Sequence, residues 1–166
     1  MKKGFILIEM AIVVAILGIL LSISYINFTR LSVKSNVDSK ADEIASMLRD
    51  TYENGNKEMN FKDYYIEIIK NGNSFEVSLI SHKNSVRKTD LKDFELNIVG
   101  QTFESSPKYI YFSPNGEVFL SNEKIEEGYD YNIDDKKFSD IVIKKGEKIS
   151  KKIHIDDMPL GNITVD

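Results

Sequence analysis

The chain contains no cysteine. That excludes a disulfide framework, a thiolate metal site and a cysteine nucleophile, so a secreted domain would rest on its hydrophobic core alone. Histidine is scarce: His82 and His154 are the only two, far apart in sequence and among charged residues. They read as surface histidines beside strands, and no catalytic role is assigned to them. No nucleophile elbow, phosphate-binding glycine loop or HExxH-type metal helix occurs. A basic surplus is missing as well. The 22 Lys and Arg against 26 Asp and Glu give a formal net charge of −4 and a pI near 5.3, on average the wrong sign for nucleic acid. The expectation is a non-enzymatic chain with no cofactor and no metal. Its 166 residues suffice for one domain, or one domain plus an anchor.

Charge is absent from one long stretch, Met10 to Thr29, about the ~20 residues needed to cross a bilayer. Eleven of its residues are Leu, Ile, Val or Phe. At roughly −0.3 to −0.6 kcal/mol each, they give an insertion gain of about −3 to −7 kcal/mol before polar residues are counted. Lys2 and Lys3 precede the apolar run and no comparable basic cluster follows closely, which places the N-terminus in the cytoplasm and exports the remainder. Glu9 does not suit a plain anchor, because it lies inside the apolar run, between Phe5-Ile6-Leu7-Ile8 and Met10-Ala11-Ile12-Val13-Val14. A carboxylate at mid-bilayer costs roughly 2.5 to 3.5 kcal/mol, less near the interface, and a partner charge would remove that cost.

Beyond Arg30 the pattern becomes amphipathic. Val33, Val37, Ala41, Ile44, Leu48 and Tyr52 recur at steps of three and four, with Lys34, Asp38, Lys40, Asp42, Glu43 and Arg49 between them. No proline or glycine separates this stretch from the uncharged one, so one continuous helix is predicted from about Phe5 to Asn54, ended by Gly55. The rest reads as short strands. Tyr64 to Lys70 and Ser74 to Ile80 flank Asn71-Gly72-Asn73, a strong hairpin signal. A second hairpin joins Tyr109-Ile110-Tyr111-Phe112 to Glu117-Val118-Phe119-Leu120 through Ser113-Pro114-Asn115-Gly116. Further strands are predicted at Phe94 to Val99, Tyr129 to Ile133, Phe138 to Lys144, Ile149 to Ile155 and Asn162 to Val165. The fold class is α+β.

Lys2-Lys3-Gly4, followed by Phe5-Ile6-Leu7-Ile8-Glu9-Met10 and the run Ala11 to Leu21, resembles the class III signal of type IV pilins and pseudopilins. The resemblance implies a pilin-like fold, a long N-terminal helix with an apolar membrane half and an amphipathic half packed on an antiparallel β-sheet domain. It divides the chain into a leader at 1–4, a transmembrane and filament-core half-helix at 5–29, an amphipathic half at 30–56 and a β-rich domain at 57–166. It further implies cleavage between Gly4 and Phe5 by a prepilin peptidase, methylation of the new Phe5 amine, and pairing of Glu9 with the N-terminal amine of a neighbouring subunit. Ile6 stands where these proteins often carry Thr, a change that touches neither charge. The ending Gly161-Asn162-Ile163-Thr164-Val165, the helix segment Ala41 to Arg49 and the hairpin at Ile110 to Gly116 are most similar to minor pseudopilins of the GspH and FimT kind. The implied partners are other pilin or pseudopilin subunits, the prepilin peptidase/methyltransferase, an inner-membrane assembly platform, the lipid bilayer, and DNA if the machine serves competence. The implied location is the cytoplasmic membrane, single-pass, and then a periplasmic or extracellular filament. Type IV pilus, type II secretion and competence machines, and minor and major subunits, stay open.

The rival is an ordinary secretory signal peptide, with Ser22-Ile23-Ser24 as a small-x-small cleavage site and a soluble protein or enzyme starting at Tyr25. Glu9 inside the apolar run, and continuation of that run through Ile26 and Phe28, weigh against it. Two further stretches have some features of a binding site. Some pseudopilins hold calcium, and Asp130-Tyr131-Asn132-Ile133-Asp134-Asp135 begins like an EF-hand loop, but Asp135 stands where that loop needs Gly and Ile141 where it needs a bidentate Glu. Lys144, Lys145, Lys148, Lys151 and Lys152 cluster, yet Asp140, Glu147, Asp156 and Asp157 among them make a mixed, solvated face.

Overall fold

In a computed structural model of the chain the described residues are 2–100, 107–125, 136–147, 149–156 and 162–166, the side chains of 2–7 and 136 excepted. The strand expected at Tyr129 to Ile133, the Asp130–Asp135 loop, Lys148 and Gly161 lie outside them. The fold is α+β: a single long helix, α1 (Lys2–Glu58), precedes antiparallel strands. The chain divides into two compact units, Met1–Asn36 and Val37–Asp166. The first is the N-terminal part of α1, and from Ile8 on its described side chains are mostly apolar and nearly all exposed.

The second unit begins with the other half of α1. Val37, Ala41, Ile44, Ala45, Met47, Leu48 and Thr51 form its buried stripe, wider than the three-and-four spacing alone suggested. The buried Thr51 hydroxyl is satisfied by donating to the Met47 carbonyl at 2.8 Å, within the same helix. Gly55 does not end the helix. The chain continues to Glu58 and stops with Met59 in the left-handed region (φ 53°), the Asn60 N–H bonded to the Gly55 carbonyl (2.9 Å) and the Met59 N–H to the Asn56 carbonyl (3.3 Å). Those two bonds are a Schellman closure. Gly55 serves close approach instead: a Cβ there would stand 2.7 Å from the ring of Phe61.

The strands form two sheets, where the sequence suggested one sheet domain. The strands β1 (Tyr64–Asn71), β2 (Ser74–Ser81), β3 (Asn84–Lys92), β4 (Glu95–Ile98), β5 (Lys108–Phe112), β6 (Val118–Ser121), β7 (Lys136–Lys137), β8 (Asp140–Lys145), β9 (Ile149–Asp156) and β10 (Asn162–Val165) are arranged β3-β2-β1-β5-β6-β7 and β10-β9-β8-β4. Both predicted hairpins are present. In the first, Asn71 pairs with Ser74, so the tight turn is Gly72-Asn73 with Gly72 at φ 61°. In the second, the Ser113 N–H bonds to the Glu117 carbonyl and Gly116 takes φ 80°. Asp93 (φ 60°) turns the chain from β3, an edge of the first sheet, into β4, an edge of the second.

Register fixes the faces. Ile66 opposite Leu79 and Ile110, and Ile68 opposite Val77, point into a core shared with the α1 stripe and with Leu96, Ile98, Ile141, Ile143, Ile153 and Ile155 of the second sheet. On the other face of the first sheet, Tyr65, Ile80, Tyr111 and Ile125 form a smaller cluster with Tyr109. β3 was not anticipated, because only Val86 and Leu91 are large and apolar along it. Its inward side is held to α1 by polar contacts: Arg87 donates to Asp50 (2.6 Å) and Ser46 (3.1 Å), and Thr89 joins Lys40 and Glu43 (both 2.6 Å). Burial alone would raise the Glu43 carboxyl, but hydrogen bonds from Thr89 and Lys40 bring it below its ordinary value. Charged side chains along an edge strand also discourage pairing with other chains.

Candidate functional site

Gly4 and Phe5 lie in the backbone of α1, and their side chains are outside the description. Glu9 follows less than two turns later and is exposed. It has no ion-pair partner among the described residues. Around it Ile8, Met10, Ile12, Val13, Val14, Ile16 and Leu17 are all exposed, each at 46 % or more, and Ile19 to Leu31 continues the same surface. So much apolar area on one element is far beyond the few hundred Å² that soluble monomers leave bare. The few polar side chains of the segment are satisfied internally: Ser22 and Ser24 donate to the carbonyls of Gly18 and Leu20 (2.8 Å each), and Thr29 donates to that of Ile26 (2.9 Å). Such back-bonding lets hydroxyls sit in hydrocarbon without an unmet donor. Glu9 has no equivalent local solution. Among the described residues this is the one helix long and apolar enough to cross a membrane.

The two histidines belong to different sheets. His82 lies in the β2–β3 turn, its Nε2 3.1 Å from Glu58 and 3.0 Å from the Tyr64 hydroxyl, its Nδ1 3.5 Å from Asp63. His154 lies on β9. Its Nδ1 is 2.5 Å from Asp140 and its Nε2 2.9 Å from Asp156, which also accepts from Asn162 at 2.9 Å. The hydrogen bond to Asp140 raises the His154 pKa against an opposing burial effect, and the same bond, again opposed by burial, lowers that of Asp140; Lys152, 3.5 Å away, also favours the Asp140 anion. In each histidine the two ring nitrogens face different carboxylates, so neither geometry converges on one ion. Among the described residues no group of three His, Asp or Glu could hold a metal.

The described members of the lysine cluster are dispersed among partners. Lys144 faces Glu95 (3.7 Å), Lys151 faces Asp38 (3.5 Å), Lys152 faces Asp140, and Lys145 stands 4.5 Å over the Phe94 ring. This is the mixed surface the sequence suggested, without a single-sign stripe. Sequence reasoning did not single out the turn His82-Lys83, in which two non-glycine residues are both left-handed (φ 47° and 68°). Histidine is only a weak signal of such a conformation, and lysine is none.

Comparison of the chain with protein-family models, with curated proteins and with solved structures gives no match. The architecture itself is pilin-like: a long N-terminal helix, apolar in its first half, whose second half packs on antiparallel sheet.

Proposed function

We propose that this chain is a filament subunit of the type IV pilin class, a minor pilin or pseudopilin held in the cytoplasmic membrane by its N-terminal helix until it is assembled. The observation that carries this reading is Glu9, an exposed carboxylate without an ion-pair partner among the described residues, set in an otherwise uncharged and exposed apolar helix. In lipid alone that carboxylate is a cost of up to about 3.5 kcal/mol. Beside the free amine of a neighbouring subunit it becomes half of an ion pair in a low-dielectric helix bundle, where leaving either charge unpaired is strongly unfavourable and axial register is thereby chosen. A free amine at the right height requires a cut after Gly4, since otherwise Met1 and two lysines precede Phe5. The reading thus includes prepilin peptidase processing and methylation of Phe5, with the β-rich domain outside the membrane. The structural role fits a secretion, pilus or competence machine alike.

Mass spectrometry of the mature N-terminus is the test. A chain beginning at methylated Phe5 is the expected result. A chain beginning at Tyr25 would establish release by ordinary signal peptidase and end the proposal.

A further inference from the structure

Asparagine is followed by glycine at Asn54-Gly55, Asn71-Gly72 and Asn115-Gly116. In such a pair the glycine nitrogen, with no Cβ beside it, can close on the asparagine side chain, provided its N–H is not held elsewhere. The fold treats the three pairs unequally. Gly55 lies inside α1, where the helical ladder takes its N–H, and it is buried against the Phe61 ring. Gly116 is buried too, and its N–H donates to the Ser113 carbonyl at 2.9 Å.

Asn71-Gly72 has neither protection. Both residues are exposed at the corner joining β1 to β2, and a Cβ built on Gly72 would meet nothing within 4 Å. The ladder ends on the pair Asn71 and Ser74, which leaves Gly72 outside it. Among the described residues the Gly72 N–H has no partner, and the Asn71 side-chain amide makes no hydrogen bond. The Ser74 hydroxyl donates to the Asn71 carbonyl at 2.9 Å. That carbonyl and the Gly72 N–H belong to one peptide group. When the N–H gives up its proton, the negative charge is shared between the nitrogen and this oxygen, where a donated hydrogen bond stabilises it.

We propose that Asn71 is a deamidation site selected by the fold, with the Ser74 hydroxyl promoting the reaction. Hydroxide takes the Gly72 amide proton, and the nitrogen lone pair attacks Cγ of Asn71. The new C–N bond closes a succinimide ring as the bond from Cγ to the side-chain nitrogen breaks, and that nitrogen takes a proton from water and leaves as ammonia. Water then adds to one ring carbonyl and opens the ring. Attack at the side-chain carbonyl gives aspartate, and attack at the main-chain carbonyl gives isoaspartate. Either product places a carboxylate beside Lys70 in sequence. Isoaspartate also routes the main chain through the side-chain carbon, lengthening a two-residue turn that sets Asn71 opposite Ser74.

The test is peptide mapping. Full-length protein in neutral detergent is incubated in mildly alkaline buffer and digested, and chromatography with mass spectrometry separates the asparagine, aspartate and isoaspartate forms of each peptide. In the folded protein Asn71 should convert about tenfold or more faster than Asn54 and Asn115, because at each of those a hydrogen bond must first open. In urea the three should convert at similar rates. Ser74→Ala should slow conversion at Asn71 in the folded protein by about twofold to tenfold, the effect of one lost hydrogen bond, and Ser74→Thr, which keeps the hydroxyl, should retain the parent rate. Conversion at Asn54 or Asn115 as fast as at Asn71 in the folded protein overturns the site, and so does an intact Asn71 over the time in which the unfolded chain converts. A preference for Asn71 that survives in urea would trace it to neighbouring residues and overturn selection by the fold. An unchanged or faster rate in Ser74→Ala, or a loss in Ser74→Thr, overturns the role of Ser74.

Discussion

His154 is held between two carboxylates, and the arrangement is complete only when both ring nitrogens carry protons. A neutral imidazole has one N–H, so losing a proton leaves either Asp140 or Asp156 facing a lone pair. Because the folded-state pKa of His154 is raised, its contribution is fully present below the unfolded value near 6.5 and is lost as pH rises through the folded value. Asp140 has the opposite sign: its folded pKa is lowered, so its contribution is present above about pH 3.9 and is lost as pH falls through the folded value. The pair therefore supports the β8–β9 ladder most between about pH 4 and 6.5. His154→Gln should lower the melting temperature most in that window, and the difference from the parent should shrink as pH rises above it. Melting curves of both proteins from pH 4 to 9 check this, and a constant difference across the range would show that His154 acts through packing alone.

At the scale of elements, the end of α1 is set by two positions that glycine could have filled in either order. Gly55 is inside the helix, where alanine is ordinarily favoured by about 1 kcal/mol. Here the added methyl would meet the buried ring of Phe61, and overpacking of that kind costs about 1–3 kcal/mol. Gly55→Ala should therefore be neutral to destabilising by about 2 kcal/mol, and adding Phe61→Ala should turn the alanine favourable on its double-mutant cycle. Chemical denaturation of the four proteins measures it; a Gly55→Ala stabilisation near 1 kcal/mol would mean Phe61 yields freely. The sequence pattern placed α1, its buried stripe and both hairpins, because spacings of 3.6 and 2 and turn glycines are local properties. It misread Gly55, since a glycine needed for close approach looks the same as one needed for a left-handed cap. β3 escaped notice because its inward side is anchored by Arg87 and Thr89 and carries no apolar stripe. The division into two sheets was equally illegible: alternation tells which side chains turn inward, not which strand sits beside which. Glu9 was legible at once, as a charge has no local reason to be in an apolar run.

At the scale of the whole molecule, the two units have separate sources of stability. Every described residue of both hydrophobic clusters lies at or beyond Val37, within the second unit. Residues 30–166 should accordingly be soluble without detergent and unfold in one cooperative transition, which circular dichroism during a thermal scan would show; aggregation or a broad melt would tie the core to the apolar helix. The first unit is stabilised by whatever surrounds it, and there the effect of Glu9 separates two roles. The apolar residues from Met10 to Thr29 contribute about −3 to −7 kcal/mol to insertion against a carboxylate cost of about 2.5 to 3.5 kcal/mol, and Glu9→Gln removes that charge, so the variant should stay in the membrane fraction at full level or above. If the carboxylate pairs with a neighbour's amine, the same variant should lose subunit–subunit crosslinks and filament incorporation by tenfold or more, as one charge is left unpaired in the helix bundle. Membrane fractionation and crosslinking on one set of cells read both effects. Loss of membrane association would show that Glu9 acts in targeting, and unchanged crosslinking would show that the helices find their register without it.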